Sequence, residues 1–280
     1  MGTTWKISVW DEISDVLFQE IEQDVIAQSQ KFDQTYSRFI KDSFVWDLTK
    51  KTGVVEVPEH FMNMLKWYKK FYEPSGKKLN PLIGFTISDL GYDADYSLIQ
   101  QQTIRPTPDL STAVNIVDDS HISLTEFVLF DFGALGKGYF VDVIANFLKQ
   151  KNIKQFLVDG SGDVSYVGNG HAIRVGLEHP DDPTKVIGVV EMKQGTMCSS
   201  GTNRRKWGEF SHIIDPQFGT SQNQILSTWV MAETAAVSDA LATALFLAPP
   251  EAFSFVPFEY CILNHEYKIK RSAGFVAELF

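Results

Sequence analysis

Residues 127–149, FVLFDFGALGKGYFVDVIANFLK, limit what this chain can fold into more than any other stretch. The run 127–132 is short and apolar, as expected of a buried strand, and Val143, Ile144, Phe147 and Leu148 recur at helical spacing. Between them, Gly133, Ala134, Gly136, Lys137 and Gly138 make a turn poor in side chains. A strand that ends at Asp131 and feeds a helix through such a turn leaves main-chain N–H groups free at the helix N-terminus, where phosphate oxygens bind well. Lys137 adds a point charge to the same place. Two familiar phosphate loops are excluded by spacing. A Walker A loop needs Gly at 131 and Ser or Thr at 138, where the chain has Asp131 and Gly138. A dinucleotide fingerprint needs Gly at its first, third and sixth positions, which neither GALGKG (133–138) nor GSGDVS (160–165) supplies. The stretch reads either as an anion-binding turn of another kind or as a bare strand-to-helix turn.

With 280 residues, 44% of them hydrophobic, the chain can build one large core or two small ones. Its formal charge of −10 disfavours nucleic acid and anionic membrane as partners, so a phosphate ligand must be held by local donors or a metal. No window approaches the length of a membrane span, and the start, MGTTWKISVW, lacks the basic and apolar segments of a secretory signal. The expectation is a cytoplasmic protein; the alternative is an extracytoplasmic lipoprotein with its leader removed. Cys198 and Cys261 form no CxxC and read as small buried apolar side chains.

Taken in order, a strand is expected over 4–10, then a helix with Ile13, Val16, Leu17, Ile21 and Val25 as its stripe. Ser37, Arg38 and Phe39 end that pattern. Pro58 opens a second helix carrying Phe61, Met64, Leu65, Tyr68, Phe71 and Tyr72. Residues 73–97 read as a long loop, too aromatic for a linker, and 101–125 as short strands and turns. After the glycine turn and its helix, 155–158 reads as a second buried strand, so a parallel βαβ unit is expected, with this strand's carboxyl end beside the turn. Short antiparallel strands follow near 172–177 and 186–191. Residues 196–201 are rich in small side chains, 232–247 form an alanine-rich helix, and 259–270 a hairpin or strand.

In the alanine-rich helix, Asp239 and Thr243 are four apart and share a face, while Val237, Leu241, Leu245 and Phe246 cover others. Such oxygen donors suit Mg²⁺ or another hard cation, and equally a satisfied buried hydrogen bond. None of the six histidines forms an HxH or HExxH pair; His212, in SHIIDP, falls near a strand end.

Seven motifs in order then add a resemblance that runs almost end to end. They are MGT (1–3), SRF (37–39) with Ser43, DFGALGKGYFVD (131–142), VDGSGDV (158–164), SSG (199–201), HIIDPQFG (212–219) and SDALATAL (238–245). On these residues the chain resembles the ApbE family, the FAD:protein FMN transferases. The resemblance implies one domain over 1–280 with an α+β fold of mixed, largely antiparallel sheets and packed helices. It implies an enzyme that takes FAD as substrate and Mg²⁺ as cofactor, and transfers FMN to a Thr or Ser hydroxyl of an acceptor protein, releasing AMP. Water as acceptor would make it an FAD pyrophosphatase; a protein that only binds flavin is the reading from another class.

Carried over residue by residue, the resemblance implies metal ligation by the Ala134 carbonyl, the Asp239 carboxylate and the Thr243 hydroxyl, with the Ala236 carbonyl. FAD contacts are implied for Met1, Asp131, Lys137, His212 and Ile213, with Gly91, Tyr92 and Asp93 near the ring or the adenine. Asp239 and His212 are the implied catalytic residues, His212 as the base for the acceptor hydroxyl at the pyrophosphate. This chain departs from the pattern at three places. It has VDGSGD (158–163) where relatives often have VNLGGD, Gln217 and Phe218 where a basic residue and Thr are usual, and Asn203 where an aromatic is usual.

Overall fold

The computed structural model describes residues 3–203 and 205–280. The chain opens with β1 (Lys6–Val9), α1 (Asp15–Tyr36) and the short α2 (Phe44–Leu48). Ser14 and Ser43 cap the two helices by accepting the N–H of Leu17 and Trp46. Ser43 is fully buried in this role, so its place beside the SRF motif is structural. After β2 (Gly53–Glu56), α3 (Glu59–Tyr72) starts at Pro58 and buries its whole predicted stripe, each large apolar side chain contributing about 2 kcal/mol.

Residues 73–97, expected as loop, contain a 3₁₀ turn (Pro81–Ile83) and α4 (Gly84–Asp89), a helix too short to display its period in sequence. Next come α5 (Leu110–Ala113), β3 (Val114–Ile116) and β4 (His121–Leu124), and a small antiparallel sheet takes the order β2-β4-β3. The expected strand at 127–132 is not in any sheet. Val128, Leu129 and Phe130 are completely buried, but their backbone is laced to the 3₁₀ turn: Asp131 N–H donates to the Pro81 carbonyl and Gly84 N–H to that of Leu129. An apolar run records burial, and burial on all sides does not require a ladder.

The second half supplies α6 (Gly136–Gln150), β5 (Phe156–Asp159), β6 (Val164–Val167), β7 (Ile173–His179), β8 (Asp182–Met192) and β9 (Gly195–Gly201). Four two-residue strands follow: β10 (Lys206–Trp207), β11 (Phe210–Ser211), β12 (Ile214–Asp215) and β13 (Thr220–Ser221). Then come β14 (Ile225–Ala232), α7 (Ala235–Ala244), β15 (Phe258–Asn264), β16 (Ile269–Arg271) and β17 (Glu278–Leu279). The main sheet has the order β1-β5-β6-β9-β14-β15-β16, and every pairing is antiparallel. The parallel βαβ unit is therefore absent: β5 pairs antiparallel with β1 and β6.

Alternation along these strands divides the core. Cys198, Val230 and Ile262 point into the large cluster shared with α3, α6 and α7. Their neighbours Met197, Trp229, Cys261 and Leu263 point to the other face, where Leu177, Val190 and Met192 of the β17-β8-β7 sheet cover them. Helices pack on one side of an antiparallel sheet and a small sheet on the other, the mixed α+β architecture expected.

The two helices that carry the site meet at Gly138. A Cβ there would fall on the Ala235 carbonyl and within 2.6 Å of Asp239 Cβ. Gly138→Ala is expected to push α6 and α7 apart and destabilise the protein by about 3 kcal/mol, the upper end of overpacking penalties, read as a lower Tm in thermal unfolding. The contact is fixed from the other end too, since Asp142 of α6 accepts the N–H groups of Ala235 and Ala236, capping α7. Burial pushes the Asp142 carboxyl up to about 6 despite those two donors.

Candidate active site where two helices meet the central sheet

The start of α6, the turn after β5, the strands β9 and β14, the β11–β12 connection and one face of α7 enclose a cavity of about 470 Å³. Tyr92, Asp131, Ala134 and Lys137 line it, as do His212, Ile213, Asp239 and Thr243. Eight of the residues expected from sequence thus come together from segments up to 151 positions apart.

Three described ones do not line it. Gly91, at φ +110°, makes the tight turn that lets the Leu98–Ile99 backbone pass, a conformation that favours glycine. Asp93 is turned into its own loop, accepting the N–H groups of Asp95 and Ser97 and the Ser97 hydroxyl. Ala236 is buried in α7 with its N–H on Asp142. Met1 lies outside the described residues.

At the centre stand three charged side chains. The Lys137 ammonium bonds Asp163 and also Asp239 Oδ1 at 3.3 Å. The two carboxylates are each about 1% exposed. Asp239 Oδ2 accepts the Gly138 N–H at 2.9 Å, whereas Asp163 Oδ1 is buried without a partner. Burial and the neighbouring Asp163 raise the Asp239 carboxyl above its ordinary range, against the opposing pull of Lys137. Burial alone would lower the Lys137 ammonium, but the two carboxylates outweigh it and hold it above its ordinary range.

Thr243, one turn beyond Asp239, shares a hydrogen bond with Ser200 of β9 at 3.2 Å. Ala134 donates its N–H to the Tyr68 hydroxyl, which in turn donates to the Asp131 carbonyl. Among the described residues no three His, Cys, Asp or Glu side chains gather as a metal cluster. The implied set has a single carboxylate, and Mg²⁺ is commonly held by one or two carboxylates with phosphate oxygens and waters completing its shell. The residues fit such an ion. Two carboxylates face one ammonium, leaving one negative charge in excess, and one carboxylate oxygen is unpartnered.

A second group surrounds Asp131. Its carboxylate accepts Arg38 Nε at 2.5 Å and the Gly133 N–H at 2.6 Å. Arg38 is 2% exposed; it also donates to the Tyr92 carbonyl and lies 4.2 Å from the Phe39 ring centre and 4.9 Å from that of Tyr92. Tyr92 stacks on Trp207, and burial pushes its hydroxyl up to about 12.

His212 follows β11. Its N–H donates to the Arg205 carbonyl, and its Nδ1 is buried without a partner. Burial, then the nearby Arg205 and Lys137, lower its imidazolium pKa to about 3, so the ring is neutral at physiological pH. That pKa is well below the ordinary histidine value near 6.5.

Reading the sequence missed several partners. Asp163 stands inside the VDGSGDV motif without a role assigned there, and only the three-dimensional approach of β5 to α6 reveals it. Arg38 was visible as a cation ending a helix, but its partner Asp131 lies 93 positions away. Lys78, which lines the cavity and pairs at 2.7 Å with the buried Asp215, gave no signal at all. Gln217, at a departure from the family pattern, donates to the Gly76 carbonyl and ties the same two segments together.

Comparison with known proteins agrees with this architecture. The model of the ApbE family matches residues 1–257. The chain is similar to an FAD:protein FMN transferase of Escherichia coli K12, 23% identical over 271 residues, covering 90% of this chain and 77% of that one. Its fold is similar to that of the ApbE protein of Thermotoga maritima, with a TM-score of 0.85 at 22% identity, covering 98% of this chain and 95% of that one. The flavin transferase ApbE of Vibrio cholerae gives 0.81 at 20% identity, with the same coverage.

Proposed function

This chain belongs to the ApbE family, and we propose that it is a Mg²⁺-dependent transferase that moves the FMN part of FAD onto a Thr or Ser hydroxyl of an acceptor protein and releases AMP. The observation that carries this reading is where its unpaired polar atoms lie. Five buried side-chain polar atoms among the described residues lack a partner. Thr3 Oγ1 and His212 Nδ1 belong to residues that line the cavity, while Arg38 Nη2 and Asp163 Oδ1 belong to residues bonded to its Asp131 and Lys137. Buried polar groups are almost always paired, so the two unpaired atoms on cavity-lining residues support a polar ligand there. Residues from Thr3 to Leu247 line that cavity, which supports treating the chain as one catalytic unit.

In this reading the acceptor oxygen attacks the phosphorus of the FMN half and forms a phosphoester, the P–O bond to AMP breaks, and the hydroxyl proton passes to His212. A neutral imidazole is the form a base requires. Asp131, fixed by Arg38 and Gly133, presents a carboxylate of set orientation to the flavin. Ile213 and Tyr92 supply apolar walls. Ala134, Asp239 and Thr243, which line the cavity, would hold Mg²⁺, which when bound offsets charge on phosphate oxygens. Lys137 stands at the same end of the cavity as a second positive charge.

The test is AMP release from FAD and Mg²⁺, with and without a Thr-bearing acceptor domain. Transfer predicts AMP only with acceptor; AMP without it makes the protein a pyrophosphatase, and no AMP in either case reduces it to a flavin-binding protein.

A further inference from the structure

We propose that Asp163 is a positioning residue that holds Lys137 away from Asp239 when a divalent cation binds, so that the lysine does not compete with the metal. The inference rests on the metal-dependent reading above and adds a residue to it. One ammonium is shared by two buried carboxylates. It forms its shorter bond with Asp163 and its longer one, 3.3 Å, with Asp239. Asp239 is held in place independently by the Gly138 N–H, so it can keep its position when the lysine leaves it. Asp163, with one oxygen unpartnered, has the capacity to take the whole ammonium.

Charge counting gives the consequence. Two carboxylates and one ammonium leave the wild-type centre with a net charge of −1 before metal arrives. Asp163→Asn makes that centre neutral and leaves Lys137 with Asp239 as its one carboxylate partner in this group. An incoming cation must then displace an ammonium at a site that no longer attracts it. Removing the lysine as well, in Asp163→Asn/Lys137→Met, restores the −1 charge and frees Asp239. Lys137→Met alone leaves two carboxylates and a charge of −2.

The experiment uses the full chain without FAD and measures binding of Mn²⁺, a hard cation accepted by the same oxygen donors, by EPR of the free ion. Asp163→Asn is expected to weaken Mn²⁺ binding on the order of ten-fold or more, since it removes one unit of attractive charge from a buried centre. The double variant is expected to return to within a few-fold of wild type, and Lys137→Met to bind more tightly than wild type. A role for Asp163 in structure alone predicts that the double variant stays as weak as the single one, and that result overturns the proposal; so does wild-type affinity in Asp163→Asn. If Asp163→Asn does not fold, Lys137→Met still decides, because weaker binding in that variant contradicts competition. Absence of Mn²⁺ binding and of AMP release in the wild type overturns the functional reading itself, and with it this proposal.

Discussion

Replacing His212 by Asn is expected to leave FAD and metal binding intact and to slow transfer by about 10²- to 10⁴-fold, the usual contribution of a positioned acid or base. Asn keeps a polar side chain in the cavity wall but cannot take a proton. The pH profile sharpens the expectation. Burial beside Arg205 and Lys137 lowers the His212 pKa to about 3, so the ring stays neutral as pH falls through the ordinary histidine range. The wild-type profile of kcat/KM, which reports the free enzyme, should therefore show no acid limb near 6.5 that His212→Asn removes. Linkage has the matching sign. A depressed histidine contributes stability that is present above its unfolded pKa and lost as pH falls toward the folded one, so the wild type should lose stability relative to His212→Asn on acidification. Transfer within a few-fold of wild type in the variant would assign His212 to packing.

The second large effect is expected at Asp239. Asp239→Asn preserves the shape and can still accept the Gly138 N–H, but it removes the charge from the implied metal site. Metal-dependent AMP release should fall on the order of 10²- to 10³-fold, the scale seen when one electrostatic contact to a transition state is removed. The fold should survive. Asn keeps the shape of the carboxylate and the bond from the Gly138 N–H, so the seating of α7 against α6 is retained. Unchanged AMP release at saturating Mg²⁺ and FAD would remove Asp239 from the metal site.

What could be read in the sequence, and what could not, follows from how far apart the partners lie. Asp239 and Thr243 sit one helical turn apart, so helical geometry alone put them on one face, and both line the cavity. The glycine turn was legible because its lack of side chains is local; its tight contact with Ala235 and Asp239 explains why Gly138 is needed. The strand β14 went unrecognised. Ser227, Thr228, Trp229 and Val230 are all buried, so the polar and apolar alternation of a half-exposed strand is absent, and its last residue was read into the following helix. The run 127–132 failed in the opposite direction, looking like a strand because it is apolar while its hydrogen bonds go to a turn. Arg38 with Asp131, Lys78 with Asp215, and Lys137 with Asp163 are tertiary pairs, and no periodicity records them.

Two of these pairs bear on how the cavity is kept. Arg38 is almost wholly buried between aromatic rings and fixes the Asp131 carboxylate, so this end of the cavity is held by a charged group that solvent does not reach. Lys78 and Gln217 join the segment before the 3₁₀ turn to the His212 segment, and thus place the proposed base against the wall formed by α4. The site is assembled by contacts between loops on a rigid frame of α6, α7 and the central sheet.

In the proposed reaction the hydroxyl of another protein, and not water, receives the flavin phosphate. The most direct measurement is the intact mass of a Thr-bearing acceptor domain after incubation with this protein, FAD and Mg²⁺. Transfer gives the acceptor a gain equal to FMN less one water, with one AMP released for each acceptor modified and no gain when the Thr is replaced by Val. An acceptor of unchanged mass, with free FMN and AMP accumulating in solution, would contradict it.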